Sequence, residues 1–438
     1  MSVTQIPFCE TTGWEVYSKT GNIEHNSKKF FSVRGLQTRI VSDRTMQWEQ
    51  PIITQPEVGI LGIVTRVYKG TRYFLIQAKY EPGNIGLLQI SPTVQATHSN
   101  YSRVHKGKVQ PYLRYFTDTS SSKVLCDRLL SEQNSRFYRK FNRNMIVEVS
   151  SDLDLLDNYY WVTLAQLGQL YRVNNLVNMD TRSVLSNISL FRRSNYNIDI
   201  DLEQPPFNEY SNKILGSFSP TSKPSTHLNE ILSLLRTRRK NSRLISKLAP
   251  LQDIHDWVTL DDRIHHVSQS YFDVISVRVE TNCREVTHWC QPLIRDTHLG
   301  LVGFVSKMTH GVLHFLAHMK IECGNRNTIN IAPTVACSNY KLHQQAPNPP
   351  PFLDLLVDAS TDQIMFDEIQ SEEGGRFFQV QNIYRIVEIP EDIRLELPVN
   401  YFWVTLSQLV ELLDIDELSI DTRSLLSRLV VGLALERS

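Results

Sequence analysis

The stretch from Gln77 to Thr97 reads QAKYEPGNIGLLQISPTVQAT, and the stretch from His318 to Ser338 reads HMKIECGNRNTINIAPTVACS. Lys79 matches Lys320, Glu81 matches Glu322, Gly83-Asn84 matches Gly324-Asn325, and Pro92-Thr-Val94 matches Pro333-Thr-Val335, all at one constant offset. Apolar runs recur in unrelated chains because cores need them. Lys-x-Glu-x-Gly-Asn followed by Pro-Thr-Val has no such generic reason to recur, so the two stretches read as two copies of one site.

The likeness extends over most of the chain. Pro7 and Trp14 match Pro250 and Trp257; His25 and Ser27 match His266 and Ser268; Trp48-Glu-Gln-Pro51 matches Trp289-Cys-Gln-Pro292. Asn100-Tyr101 matches Asn339-Tyr340, Arg136-Phe137 matches Arg376-Phe377, and Asp180-Thr-Arg-Ser183 matches Asp421-Thr-Arg-Ser424. A period of about 240 residues marks a duplicated domain rather than a solenoid. We divide the chain into a first repeat over 1–189, a linker and connecting helix over 190–247, and a second repeat over 248–438.

Local patterns agree between the copies. Val58–Val67 and Tyr73–Ala78 are β-rich runs joined through Tyr68-Lys-Gly-Thr71, a hairpin signal, and Leu299–Met308 with Val312–Ile321 repeats it. Thr163 with Gln166 and Thr405 with Gln408 are capping boxes opening helices. Asp180 and Asp421 are expected as N-caps of the final helix of each copy. Leu190 to Ser225, with Pro205-Pro206, Pro220 and Pro224, reads as a linker. His227–Leu248 follows at helical spacing with a basic run, Arg236 to Arg243, expected to be a solvated face. Strands and helices mix without strict alternation, which points to an α+β mixed-sheet fold.

At 438 residues the chain exceeds one ordinary core. Lys plus Arg and Asp plus Glu both count 46, a balance that gives no case for a general nucleic-acid or acidic-membrane binder. No apolar run reaches about 18 residues, so no membrane span is expected. The start, MSVTQIPFCETTGW, has no apolar signal core. Six scattered cysteines without a Cys-x-x-Cys read as reduced thiols of a cytoplasmic protein.

The residues Gly21-Asn-Ile-Glu-His-Asn-Ser27, Gln55-Pro-Glu-Val-Gly59, Gln77-Ala-Lys-Tyr-Glu-Pro-Gly-Asn84, Ser91-Pro-Thr-Val-Gln-Ala-Thr97, Ser99-Asn-Tyr101, Arg143-Asn-Met-Ile-Val-Glu148 and Ser371-Glu-Glu-Gly-Gly-Arg-Phe377 closely resemble the NDP-hexose 2,3-dehydratases of deoxysugar biosynthesis. The resemblance implies a tandem duplication of a Nudix-hydrolase-like domain, a homodimer, and nucleotide-sugar sites in both halves. It implies loss of water across C2 and C3 of dTDP-4-keto-6-deoxyglucose, with a 3-ketoreductase acting next. Cys323 stands where the family usually has Pro, and Ala336 where it usually has Gln. The family also tends to carry a helical extension before the first Ile-Pro-Phe; here five residues precede Ile6.

That elimination calls for no redox cofactor, because the C4 carbonyl already acidifies the hydrogen on C3. The chain has no Gly-x-Gly-x-x-Gly turn. The enzyme must supply a base, donors for charge growing on O4, and an acid for the departing C2 hydroxyl. Glu81, Tyr101 and His25 are the catalytic candidates. Glu81 could equally be an ion-pair partner of Lys79 or a turn cap. Tyr101 could be an amphipathic core residue. His25 could hold a loop through backbone bonds. Substrate-binding candidates are Lys79, Gln77, Ser27, Asn84, Thr93, Asn100, Arg103 and Arg182, with Lys320, Glu322, Asn325, Thr334, Tyr340, His266 and Arg423 from the second copy. Thr93 and Thr334 have strand-edge readings beside the ligand one, and Arg182 and Arg423 could form structural pairs with Asp.

No metal site is expected. His310, His314 and His318 are spaced by four, but on a hairpin two such side chains stand about 13 Å apart. A metal-dependent Nudix hydrolase would need an Arg-Glu-x-x-Glu-Glu cluster, and Glu368, Glu372 and Glu373 beside Gly374-Gly375-Arg376 form a different pattern. A non-catalytic nucleotide-sugar-binding protein is the other alternative.

Overall fold

The computed structural model describes residues 1–41, 45–97, 110–118, 120–150, 152–188, 209–219, 222–282, 286–296 and 298–433. Asn100, Tyr101 and Arg103 lie outside the described residues, as do Pro205-Pro206, Pro220 and Cys283.

The hairpins form where turn chemistry places them. Gly59–Tyr68 and Thr71–Tyr80 pair antiparallel, closing on Tyr68 opposite Thr71. Lys69 and Gly70 both have positive φ, +50° and +80°, which is the twist a two-residue hairpin needs. His310 and Gly311, at +51° and +75°, do the same between Gly300–Thr309 and Val312–Ile321.

Each hairpin sits inside a seven-stranded mixed sheet. Gly59–Tyr68 runs parallel to Phe141–Glu148, whose other neighbour is Lys123–Ser131, and Thr71–Tyr80 is flanked by Tyr159–Thr163. The second sheet repeats this order with Gln381–Glu388, Ile364–Ser371 and Tyr401–Val404. The fold is therefore a mixed α+β architecture. Helices Leu164–Tyr171, Met179–Ser186, Leu406–Asp414 and Ile420–Gly432 share one hydrophobic core with both sheets: Leu61, Phe74, Leu167 and Val184 belong to the same cluster as Phe304, Phe315, Leu409 and Leu425.

Two smaller sheets complete the molecule, and the halves exchange strands through them. Ser2–Ile6 pairs with Asp273–Glu280 of the second repeat, whereas Arg243–Ala249 pairs with Ser32–Val41 of the first. This corrects the expected helix over His227–Leu248. The helix is Leu228–Asn241, and the chain then turns extended. Leu244, Ser246 and Leu248 alternate with more exposed neighbours, a period of two that an edge strand satisfies. Within the basic run, Arg239 is half-buried and pairs with Glu417, whereas Arg236 and Lys240 are exposed.

Two further expectations change. Part of the stretch expected as a linker forms helix Glu209–Phe218, with Ile214 and Phe218 buried and Ser217 donating to the Leu313 carbonyl. The caps of the final helices are Asn178 and Ser419, which accept from the N–H groups of Thr181 and Thr422. An N-cap must be extended and lie three residues before the N–H it accepts. Asp180 and Asp421 are therefore in the first turn, and both are buried. The capping boxes at Thr163–Gln166 and Thr405–Gln408 form as expected. Among the described residues no helix is long and apolar enough to cross a membrane. The five described cysteines are free thiols.

Candidate functional site

Residues 77, 79 and 81 alternate along one strand and its exit, so Gln77, Lys79 and Glu81 share a face. Lys79 Nζ donates to Glu81 Oε1 and to Gln95 Oε1, each at 2.8 Å. The Gln95 amide then points its Nε2 at two carboxylates, Glu81 Oε1 at 3.3 Å and Glu373 Oε1 at 3.4 Å. Glu373 belongs to the other half of the chain. Its segment docks through the backbone: Gly83 N donates to the Gly374 carbonyl and Gln379 N to the Gly83 carbonyl, both at 2.8 Å. Gly375 N orients Glu373 with a bond of 2.8 Å. Arg376 donates to Gln55 Oε1 at 3.2 Å and lies over the Phe31 ring.

Glu81 is 4% exposed, whereas Lys79, Gln95, Glu373 and Arg376 keep partial exposure. Burial pushes the Glu373 carboxyl up to about 7, and the Glu81 charge adds to the effect. Asp180 is raised by burial and by the charges of Glu132, Glu373 and Glu81. Lys140, which donates to the Glu57 carbonyl, is pushed down to about 8 by burial. The set holds one carboxyl raised to about 7, Glu373, and a second, Asp180, raised from its ordinary value, together with cations.

The second Lys-x-Glu is built by the converse crossing. Gly324 N donates to the Asn134 carbonyl and Arg139 N to the Gly324 carbonyl, both at 2.8 Å, so residues 133–136 of the first half stand beside Lys320 and Glu322. Lys320 Nζ donates to Glu322 Oε1 at 3.1 Å and to the Ala336 carbonyl at 3.3 Å. Both residues line a cavity of about 1040 Å³, together with Gln133, Arg136, Asp421, His266 and Trp48. The chemistry differs between the sets. Where the first has Gln95, Glu373 and Lys140, the second has Ala336, Gln133 and Val380.

His25 accepts the Ser27 N–H at Nδ1 at 3.1 Å, with the Ser27 hydroxyl 2.8 Å from the same nitrogen, and its ring lies between Trp14 and Phe30. His266 repeats this with Ser268, Trp257 and Tyr271. Both histidines hold their loops. Asn84 and Asn325 are engaged in their own turns, on the Leu87 carbonyl and on Asn330 with the Asn327 N–H. Thr93 and Thr334 are fully buried strand clips: each accepts a backbone N–H, Val64 or Val305, and donates to a carbonyl, Leu75 or Leu316. Tyr340 opens helix Tyr340–Gln345 and packs against a core cluster. His314 and His318 are bonded to Ser225 and to the Val312 and Pro333 carbonyls.

Arg182 and Arg423 are both 1% exposed and tie the halves together. Arg182 donates to the Ser371 carbonyl at 2.8 Å and the Val177 carbonyl at 3.0 Å; Arg423 donates to the Ser131 and Leu418 carbonyls. Arg182→Met is expected to cost about 3 kcal/mol, since charged hydrogen bonds to buried carbonyls are lost. Denaturant unfolding checks this. A raised KM with unchanged stability would instead return Arg182 to the substrate.

Sequence reasoning alone did not assemble Gln95, Lys140, Glu373 and Arg376 with Lys79 and Glu81. A signal for Gln95 was present in the Ala336 departure. Glu373 and Arg376 lie in the Ser371–Phe377 motif, but nothing local says that it crosses to the other half.

A sequence model of the family described as NDP-hexose 2,3-dehydratase matches residues 1–188 and 228–429. The chain is 41% identical over 427 residues to a protein of Saccharopolyspora spinosa, covering 97% of this chain and 87% of that one. It is 36% identical over 429 residues to a protein of Streptomyces violaceoruber, with 97% and 92% covered. It is 38% identical over 418 residues to one of Amycolatopsis orientalis, with 94% and 82% covered. All three are named dTDP-4-dehydro-6-deoxy-alpha-D-glucopyranose 2,3-dehydratase.

Proposed function

Because the chain belongs to the NDP-hexose 2,3-dehydratase family, we propose that it removes water across C2 and C3 of dTDP-4-keto-6-deoxyglucose. The observation that carries this reading is the ion-paired Glu81 standing beside a second, readily protonated carboxyl at the junction of the halves. A base takes the C3 proton, and the electrons enter the C4 carbonyl as an enolate. They return to form the C2–C3 double bond as the C2–O bond breaks and water leaves. The enol product relaxes to a 3,4-diketone, which a 3-ketoreductase consumes.

The matching order of the two large sheets supports a tandem duplication, with each repeat a Nudix-like unit over 1–189 and 248–438. The resemblance supports a homodimer and a nucleotide sugar held in both halves. The large cavity at Lys320 and Glu322 supports the second of these sites.

Protein, substrate, a 3-ketoreductase and NADPH are expected to yield a 2-deoxy sugar nucleotide, with turnover unaffected by a chelator. Mass spectrometry that returns unchanged 4-keto substrate rejects the enzyme reading and favours a binding protein. Release of a sugar phosphate supports a hydrolase instead.

A further inference from the structure

Resting on the dehydratase reading, we infer that Glu373, delivered from the second half of the chain, is the general acid that protonates the departing C2 hydroxyl, while Glu81 takes the C3 proton. The geometry supplies the argument. One amide, Gln95 Nε2, donates to both carboxylates, so the two stand side by side. On a gluco-configured ring the C3 hydrogen is axial and the C2 oxygen equatorial, and the two are gauche. Groups that serve them must therefore approach from neighbouring positions, as this pair does.

The roles follow from the surroundings. Lys79 pairs directly with Glu81 and supports it as the carboxylate. Among the described residues Glu373 accepts hydrogen bonds from the Gln95 amide and the Gly375 N–H, and burial beside the Glu81 charge favours its protonated form. Two protons move in each turnover. The C3 proton goes to Glu81 and leaves the enolate; the Glu373 proton then goes to the C2 oxygen, which departs as water; Glu81 gives its proton to solvent and Glu373 takes one back, which restores the starting state. The converse set has Glu322 but Gln133 at the acid position, so turnover belongs to the set holding Glu81 and Glu373.

The full-length protein is incubated with substrate in deuterated water, and C3 deuterium and coupled product are measured for the wild type, Glu373→Gln and Glu81→Gln. Glu373→Gln is expected to lose product by about 10³-fold while deuterium still enters C3 of recovered substrate; Glu81→Gln loses both. Wild-type product with Glu373→Gln within tenfold of it overturns the inference and leaves the dehydratase reading intact. No product from the wild type sinks that reading itself. Loss of exchange in a Glu373→Gln protein that melts normally and still binds thymidine diphosphate makes Glu373 the base, and the assignment is wrong.

If Glu373→Gln does not fold, the wild-type pH profile decides. Titratable groups facing Glu373 are Glu81 and Lys79 from the strand end, Asp180 from the helix and Arg376 from its own loop, with Glu57, Glu132 and Lys140 around them. An acid must be protonated to act, so kcat is expected to fall as pH rises through about 7. A flat profile between about pH 6 and about pH 9 overturns the assignment.

Discussion

Glu81→Gln is expected to lower kcat by about 10³-fold, or about 4 kcal/mol of transition-state stabilisation, whereas Glu322→Gln costs less than about tenfold. The two glutamates are equivalent in sequence and both are ion-paired to the lysine two residues before them. Their neighbours separate them. Glu81 shares the Gln95 amide with Glu373. Glu322 has Ala336 and Gln133 in those positions, so its set lacks a second carboxyl from that loop. Elimination needs a proton taken and a proton given, and beside Glu322 the crossing loop presents the Gln133 amide, which cannot give one, leaving Asp421 of the final helix as the neighbouring carboxyl in that cavity. The amide variant keeps the shape of the side chain, so the loss reads as chemistry rather than packing. NADPH consumption by an excess of 3-ketoreductase measures the rate, and melting curves check the fold. A large loss in Glu322→Gln with a small one in Glu81→Gln would move the reaction to the other half.

The parts of this site that were legible in the sequence are those fixed by neighbours along the chain. Lys69-Gly70 and His310-Gly311 need positive φ, so the hairpins were visible, and with them the strand that carries Lys79 and Glu81. Thr163 and Thr405 announce their capping boxes for the same reason. Arg182 reads as a substrate-binding candidate and as a structural residue alike, because a buried arginine and a ligand-binding one look the same in sequence. Its task is decided by the Ser371 carbonyl, far away along the chain. The strand exchange of Ser2–Ile6 with Arg243–Ala249 and the crossing of Glu373 to Glu81 are likewise non-local. In a duplicated chain a residue can serve its own repeat or the other one. The internal likeness is the same in both cases, so only the docking of the loops tells them apart.

That docking rests on two glycines, and Gly83→Ala is expected to cost about 3 kcal/mol of stability and at least about 100-fold in kcat. A Cβ at Gly83 would overlap the Phe377 carbonyl oxygen and stand 2.7 Å from the Gly374 carbonyl oxygen. These are backbone atoms held by the Gly83–Gly374 and Gln379–Gly83 hydrogen bonds, so no side chain can swing away to make room. The segment from 374 to 377 must retreat, and it draws Glu373 away from Gln95 and Glu81. A displacement of about 1 Å is enough to cost about 100-fold when two groups must act on adjacent atoms. Gly324→Ala meets the Phe137 and Asn134 carbonyls in the same way, but the loop that it displaces carries Gln133. It is expected to lose similar stability and to keep kcat, per folded molecule, within about tenfold. Denaturant unfolding and the coupled assay at a temperature where both variants are folded separate the two quantities. Equal losses of kcat in both variants would mean that the crossing loops support the fold alone and that the second half sends no catalytic group across.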